Sequence, residues 1–230
     1  MISATDMIYS VATWLIPLAI AIVFHEVAHG RVAKLFGDTT AAEQGRLSLN
    51  PIRHVDPVGT IILPTILAIS GAPIFGWAKP VPVVPSRLRN PRWHMVLVAA
   101  AGPLSNIMLA SIAAIMFAIV LKSTGGLGSG ALPTFLATNV QNFIAINLFL
   151  AVFNMIPIPP FDGSKVFAGF LPDGLRQRFQ GLDRYALLFI IFLLFVVPLI
   201  APNANVLARI VIPPVTWLYA RLGDLTAFIV

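Results

Sequence analysis

Three ionisable residues, His25, Glu26 and His29, interrupt an otherwise apolar run that begins near Met7. On a helix the two histidines stand at i and i+4, so their imidazoles leave one face a turn apart, as two ligands of a tetrahedral ion require. Glu26 between them can take a proton from water, whose pKa such an ion lowers toward about 7. The H-E-x-x-H spacing is therefore a hydrolase signature with a mechanism behind it. The plainer alternative is a polar cluster that glues helices together. It must absorb about 2.5–3.5 kcal/mol for an unneutralised charge at mid-helix, and ionisable residues inside spans usually mark function.

Two histidines do not complete a catalytic zinc site, so a third protein ligand must come from elsewhere. The chain has no cysteine, which leaves nitrogen and oxygen donors. Among the aspartates, Asp6 lies at the wrong end of the first run, and Asp38, Asp173, Asp183 and Asp224 sit in polar or basic stretches. Asp56 and Asp162 remain. Asp162 closes "NMIPIPPFDG", where prolines break a helix and Gly163 permits a turn that aims a carboxylate back toward the membrane. Asp162 is the expected third ligand.

The elements that must carry these residues are membrane helices. Of the 230 residues, 58% are hydrophobic and 10% charged, and the mean hydropathy is +0.89, outside the range of soluble domains. The fold expected is an all-α, polytopic integral membrane protein. Spans are expected over Met7–Phe24, Met95–Leu121, about Pro133–Pro157 and Tyr185 to about Pro202. A last apolar run, about Leu207–Leu222, is interrupted by Arg209, Pro213 and Pro214. No Lys or Arg precedes Arg31, so no cleavable leader is expected and the first run is retained. Val58–Ser70 is too short to cross and suits a re-entrant piece. That choice puts the basic groups around Arg31–Arg53, Lys79–Arg92 and Lys165–Arg184 on one, cytoplasmic, face, with Lys122 and Arg209 outside. Asp162 and His29 then end at a similar depth near that face. After the re-entrant piece, "PIFGWAKPVPVVP" has too many prolines for a helix and reads as extended, β-like chain. The +6 charge fits anionic lipid rather than nucleic acid, which is excluded as a partner.

Taken together, "FHEVAHGRVA", "GDTTA", "GRLSLNPIRHVDPVGT", "AGPLSN" and "FNMIPIPPFDG" resemble the site-2 protease family of intramembrane zinc metalloproteases, in family order over roughly residues 20–165. The resemblance implies a three-helix catalytic core within about residues 8–170 of a single membrane-embedded domain, 1–230, with accessory C-terminal helices at about 184–222. It implies one zinc ion per chain on His25, His29 and Asp162, with Glu26 as the catalytic base. The implied substrate is a membrane protein cut in or near a transmembrane helix, near the cytosolic leaflet, and the expected location is the cell membrane of a prokaryote. Phe161 stands where the family often has leucine. The Ser123–Leu132 loop is too short for a PDZ domain and no CBS domain follows, so a minimal member is expected. The competing class is a transporter or metal-permeation protein that uses the same ligands for a travelling ion.

Other polar residues carry weaker expectations. Asn106, Asn147 and Asn154 fall in spans, where an amide must be paired; each could contact substrate backbone or an oxyanion, or bridge helices. Asn154 matches the family's motif asparagine. His54 is a supporting candidate, while turn chemistry explains Asn50 and Asp56. Gly102 and Pro103 are expected to shape a kink and close packing rather than meet substrate. The extended stretch around Ile74–Val84 could hold a loosened substrate chain as an added strand.

Overall fold

A computed structural model describes residues 4–70, 76–126, 128–192, 196–200 and 206–229. Its elements are helical throughout the described residues: α1 (Ala4–Leu35), α2 (Thr40–Glu43), α3 (Leu63–Ser70), α4 (Pro91–Thr124), α5 (Ala131–Asn154), α6 (Asp162–Phe170), α7 (Asp173–Gln180), α8 (Ala186–Ile191), α9 (Val197–Ile200) and α10 (Val206–Ala227). Three helices, in α1, α4 and α5, are long and apolar enough to cross a membrane. The protein is an all-α multi-pass membrane protein.

Helix α1 continues well beyond Phe24, so the histidine pair stands inside a helix of 32 residues rather than at its end. Nothing between Phe24 and Leu35 breaks the helix. Helix α4 starts with Pro91 in the first turn, where a missing N–H costs nothing, and Asn90 Oδ1 accepts from the Trp93 N–H at 3.4 Å.

The apolar stretch expected to be re-entrant forms a π-helical turn, Pro57–Ile62, that runs into α3. Asp56 caps it, its Oδ1 accepting from the N–H groups of Val58 and Gly59. The run Pro57–Leu67 is too short to cross. The fourth expected span is described as α8 and α9, with residues 193–195 and 201–205 lying outside the described residues. The last run forms α10, which is continuous through Pro213 and Pro214. Two lost backbone bonds are offset there by packing, because Val215, Leu218 and Leu222 lie against the buried cluster Ala110, Ala114, Ile144 and Leu148.

The chain divides into two compact units. One comprises residues 1–21, 103–154 and 207–230. It contains the cluster just named and a set of cross-helix bonds: Tyr9 Oη donates to Thr138 Oγ1 (3.1 Å) and Asn142 Nδ2 to the Thr13 carbonyl (2.9 Å). The other comprises residues 22–102 and 155–206 and holds the histidine pair, Asp162 and the loops between them. Its core gathers Ala33, Leu88 and Val98, with Phe36, Val83 and Met95 against them.

Two buried charges staple the loops of this second unit. Asp38, fully buried, accepts from the Thr40 hydroxyl (2.5 Å), the Thr40 N–H (3.0 Å) and the Val84 N–H (2.6 Å). Arg46 donates to the carbonyls of Arg53, Lys79 and Pro80. Between them runs the extended stretch, whose Ile74 and Phe75 lie outside the described residues, and most of its described backbone donors are already bonded: Trp77 to the Gly59 carbonyl, Lys79 to that of His54, Val81 to Glu26 and Val84 to Asp38. It pairs in no strand ladder among the described residues.

Candidate metal centre

His25 and His29 face each other from successive turns of α1, ring centroids 4.6 Å apart and nearly perpendicular. Asp162 enters from the first turn of α6, and its Oδ2 lies 3.1 Å from Nε2 of each ring. All three side chains are buried. Among the described residues they form the only group of three histidine or acidic side chains that could hold a metal. For ligand distances of about 2.0–2.2 Å, two ligand atoms of a tetrahedral ion stand about 3.3–3.5 Å apart. The observed 3.1 Å separations need only a few tenths of an ångström of expansion.

The local chain explains how each ligand arrives. His29 Nδ1 lies 2.7 Å from the Val98 carbonyl of α4. A carbonyl can only accept, so the proton sits on Nδ1 and the Nε2 lone pair is left for an ion. Asp162 is brought in by the turn after α5, where Phe161 N–H donates to the Ile158 carbonyl and the peptide between Pro159 and Pro160 is cis. Gly163 serves this turn through close approach: a Cβ there would stand 2.3 Å from the Met155 carbonyl oxygen. Its backbone is ordinary, so space rather than conformational freedom is what requires glycine in this turn. Burial alone would push the Asp162 carboxyl up, but the bonds from His25 and His29, with Lys165 nearby, hold it well below the usual carboxylate range.

Gly102 is the functional residue that the sequence reading undervalued. A Cβ on it would lie 2.4 Å from His29 Nε2 and 2.6 Å from His25 Nε2. Glycine therefore keeps open the space beside both ligand nitrogens, and a methyl group would fill it. Two imidazoles, one carboxylate and this cradle suit a catalytic zinc, whose usual set is three protein ligands and one open position.

Glu26 sits half-buried between the histidines. Its Oε2 accepts from the Val81 N–H at 2.8 Å, while Oε1 has no hydrogen-bond partner among the described residues. Lys165, one turn after Asp162, places its ammonium 3.7 Å from Oδ1, the oxygen turned away from the histidines. Spacing alone gave no sign of either the Val81 or the Lys165 contact, since one partner is a backbone amide and the other a surface lysine.

The remaining candidates each have partners of their own. Asn106, fully buried, donates to the Ala21 carbonyl (3.2 Å) and to Asn147 Oδ1 (2.8 Å), and Asn147 donates to the Phe143 carbonyl (2.8 Å). Both asparagines thus bridge α1, α4 and α5 within their unit. Asn154 bonds back to Leu150 of its own helix at 3.0 Å. His54 is buried with Nε2 on the Ser48 carbonyl (2.8 Å) and its own carbonyl on Lys79, so it ties loops together.

The chain is similar to known proteins. The chain is 42% identical over 186 residues, 80% of each chain, to "Putative zinc metalloprotease YwhC" of Bacillus subtilis. The chain belongs to the site-2 protease family. It is also 28% identical over 201 residues to "Putative zinc metalloprotease Rip2" of Mycobacterium tuberculosis, covering 85% of this chain and 68% of that protein. A shorter match, 45% over 69 residues and about 30% of each chain, is to "Putative zinc metalloprotease MJ0611" of Methanocaldococcus jannaschii. No family model and no solved structure matches the chain. As a family member the protein is a metalloprotease rather than a transporter, and the buried triad is where its metal fits.

Proposed function

We propose that the protein is an intramembrane zinc endopeptidase that hydrolyses a peptide bond in or near a transmembrane segment of membrane-protein substrates. The observation that carries this reading is the convergence of His25, His29 and Asp162, each buried, on the space that Gly102 leaves open. In it these three residues hold one zinc ion per chain, and Glu26 is the general base. Zinc bound there supplies an acidified water and a polarised carbonyl. The chain's own contribution is positional. Val98 fixes the tautomer of His29, Val81 anchors one oxygen of Glu26, and the other oxygen is left to accept a proton. The clustering of basic residues supports a site near the cytoplasmic side, and the bacterial relatives support the cell membrane of a prokaryote.

The test is Glu26→Gln in purified protein, with zinc content and cleavage of single-span substrates measured side by side. Zinc should stay at wild-type stoichiometry while cleavage falls by about 10²–10⁴-fold, the usual worth of a general base. Undiminished cleavage would remove Glu26 from the mechanism, and metal flux without peptide products would return the transporter reading.

A further inference from the structure

The second unit contains a cavity of about 420 Å³ that none of the three metal-site residues lines. Its size falls among pockets that hold small molecules, about 300–1,000 Å³. Three cations converge on it: Arg92 at the start of α4, Lys165 on α6 and Arg176 on α7; Met95 and Phe179 add apolar wall.

The arginines are held in place yet not used up. Arg92 donates through Nε to the Gly169 carbonyl and through Nη2 to that of Leu171, both at 2.8 Å, and Nη1 lies 3.5 Å from Asp173 Oδ1. A guanidinium has five N–H donors, so two remain. Arg176 places Nη2 2.9 Å from the same Asp173 oxygen, and its guanidinium makes no other hydrogen bond among the described residues. One exposed carboxylate thus faces two guanidiniums and balances only one. Asp183 is the single acid lining the cavity. Burial pushes its carboxyl up against the attraction of Lys165, and the three cations outnumber it.

Planar guanidinium forks with spare donors, and an ammonium from a third direction, match a tetrahedral oxyanion. The volume leaves room for the group the oxyanion is attached to. We propose that this pocket binds a phosphate ester, either the headgroup of an anionic lipid or a soluble phosphate ester, between Arg92, Lys165 and Arg176.

Binding is measured without turnover, so its outcome is independent of whether the triad cleaves peptides. The full chain in zwitterionic detergent is titrated with glycerol 3-phosphate by calorimetry. Retention of phosphatidic acid or phosphatidylglycerol, against phosphatidylcholine, is read by native mass spectrometry. Arg176 is the residue varied, because it touches neither Asp162 nor its partners. Saturable binding of one ligand per chain is expected, weakened at least tenfold by Arg176→Glu and restored by Arg176→Lys. Glycerol 3-phosphate binding assigns a soluble ester, whereas retention of one anionic lipid without it assigns a headgroup. Arg178→Glu makes the same charge change on the same helix outside the lining and should leave binding intact. No saturable binding of any probe, or equal loss in both glutamate variants, overturns the proposal.

Discussion

Gly102→Ala sets helix propensity against the metal site. In an exposed helix interior the change stabilises by about 0.5–1 kcal/mol, because alanine loses less backbone freedom on folding. At residue 102 the added carbon would lie 2.4 Å from His29 Nε2 and 2.6 Å from His25 Nε2, where ordinary contact begins at 3.4 Å. Either α4 moves off α1 by roughly 1 Å or both rings turn away, and overpacking of this kind costs about 1–3 kcal/mol. The protein without metal should therefore lose at most about 2.5 kcal/mol and remain folded. Metal binding should suffer more, since both ligand nitrogens are disturbed at once; disturbing a supporting contact alone costs about 10–100-fold. We expect at least a 100-fold loss of zinc affinity, or about 2.7 kcal/mol. The assay is zinc content per chain against a competing chelator, with thermal unfolding of the metal-free protein alongside. Gly174→Ala is the control, because a Cβ there meets no atom within 4 Å and the propensity gain should stand alone. Wild-type zinc affinity in Gly102→Ala would refute the cradle.

Chelation should lower the unfolding midpoint of the wild type and leave that of Asp162→Ala unmoved, because only the former gains stability from bound metal; equal shifts would detach Asp162 from the ion. Asn106→Leu and Asn147→Leu should each destabilise by about 1–3 kcal/mol by leaving buried amide groups unpaired, and the double variant should lose less than their sum. Additive losses in that cycle would show that the two amides do not couple, whereas a fall in cleavage rate at full stability would give these asparagines a role in catalysis. Asp38, whose carboxyl the Thr40 and Val84 donors hold below its ordinary value against the upward push of burial, stabilises the fold when ionised. That contribution is present at neutral pH and is lost as pH falls below about 4, so Asp38→Asn should be less stable than wild type at pH 7 and indistinguishable near pH 2. A constant gap across that range in chemical denaturation would show that shape rather than charge matters at this position.

The ligands were legible in the sequence because their chemistry is unusual where they stand. A His-Glu-x-x-His run in an apolar helix and an aspartate after clustered prolines are costly to bury together unless an ion binds them. The long helices were legible for the same kind of reason, as continuous apolar runs exceed about 20 residues only where a membrane is spanned. Gly102 was not, since a missing side chain carries no signal of what fills the space beside it. Nor was the continuity of α10, where prolines speak for a break locally and packing against α4 and α5 decides otherwise. The asparagines show the limit from the other side. An amide in a span announces that it has a partner, and only coordinates say whether that partner is a neighbouring helix or a substrate.

Glu26 is moored by a peptide N–H rather than by another residue's side chain. Exchanging the side chain at Val81 leaves that amide in place, and short of proline no substitution deletes it. A saturation screen of the extended stretch should accordingly find residue 81 permissive to similar-sized apolar side chains and closed to proline alone among them. The grip on the base is thus written into the path of the main chain, where point mutation reaches it least.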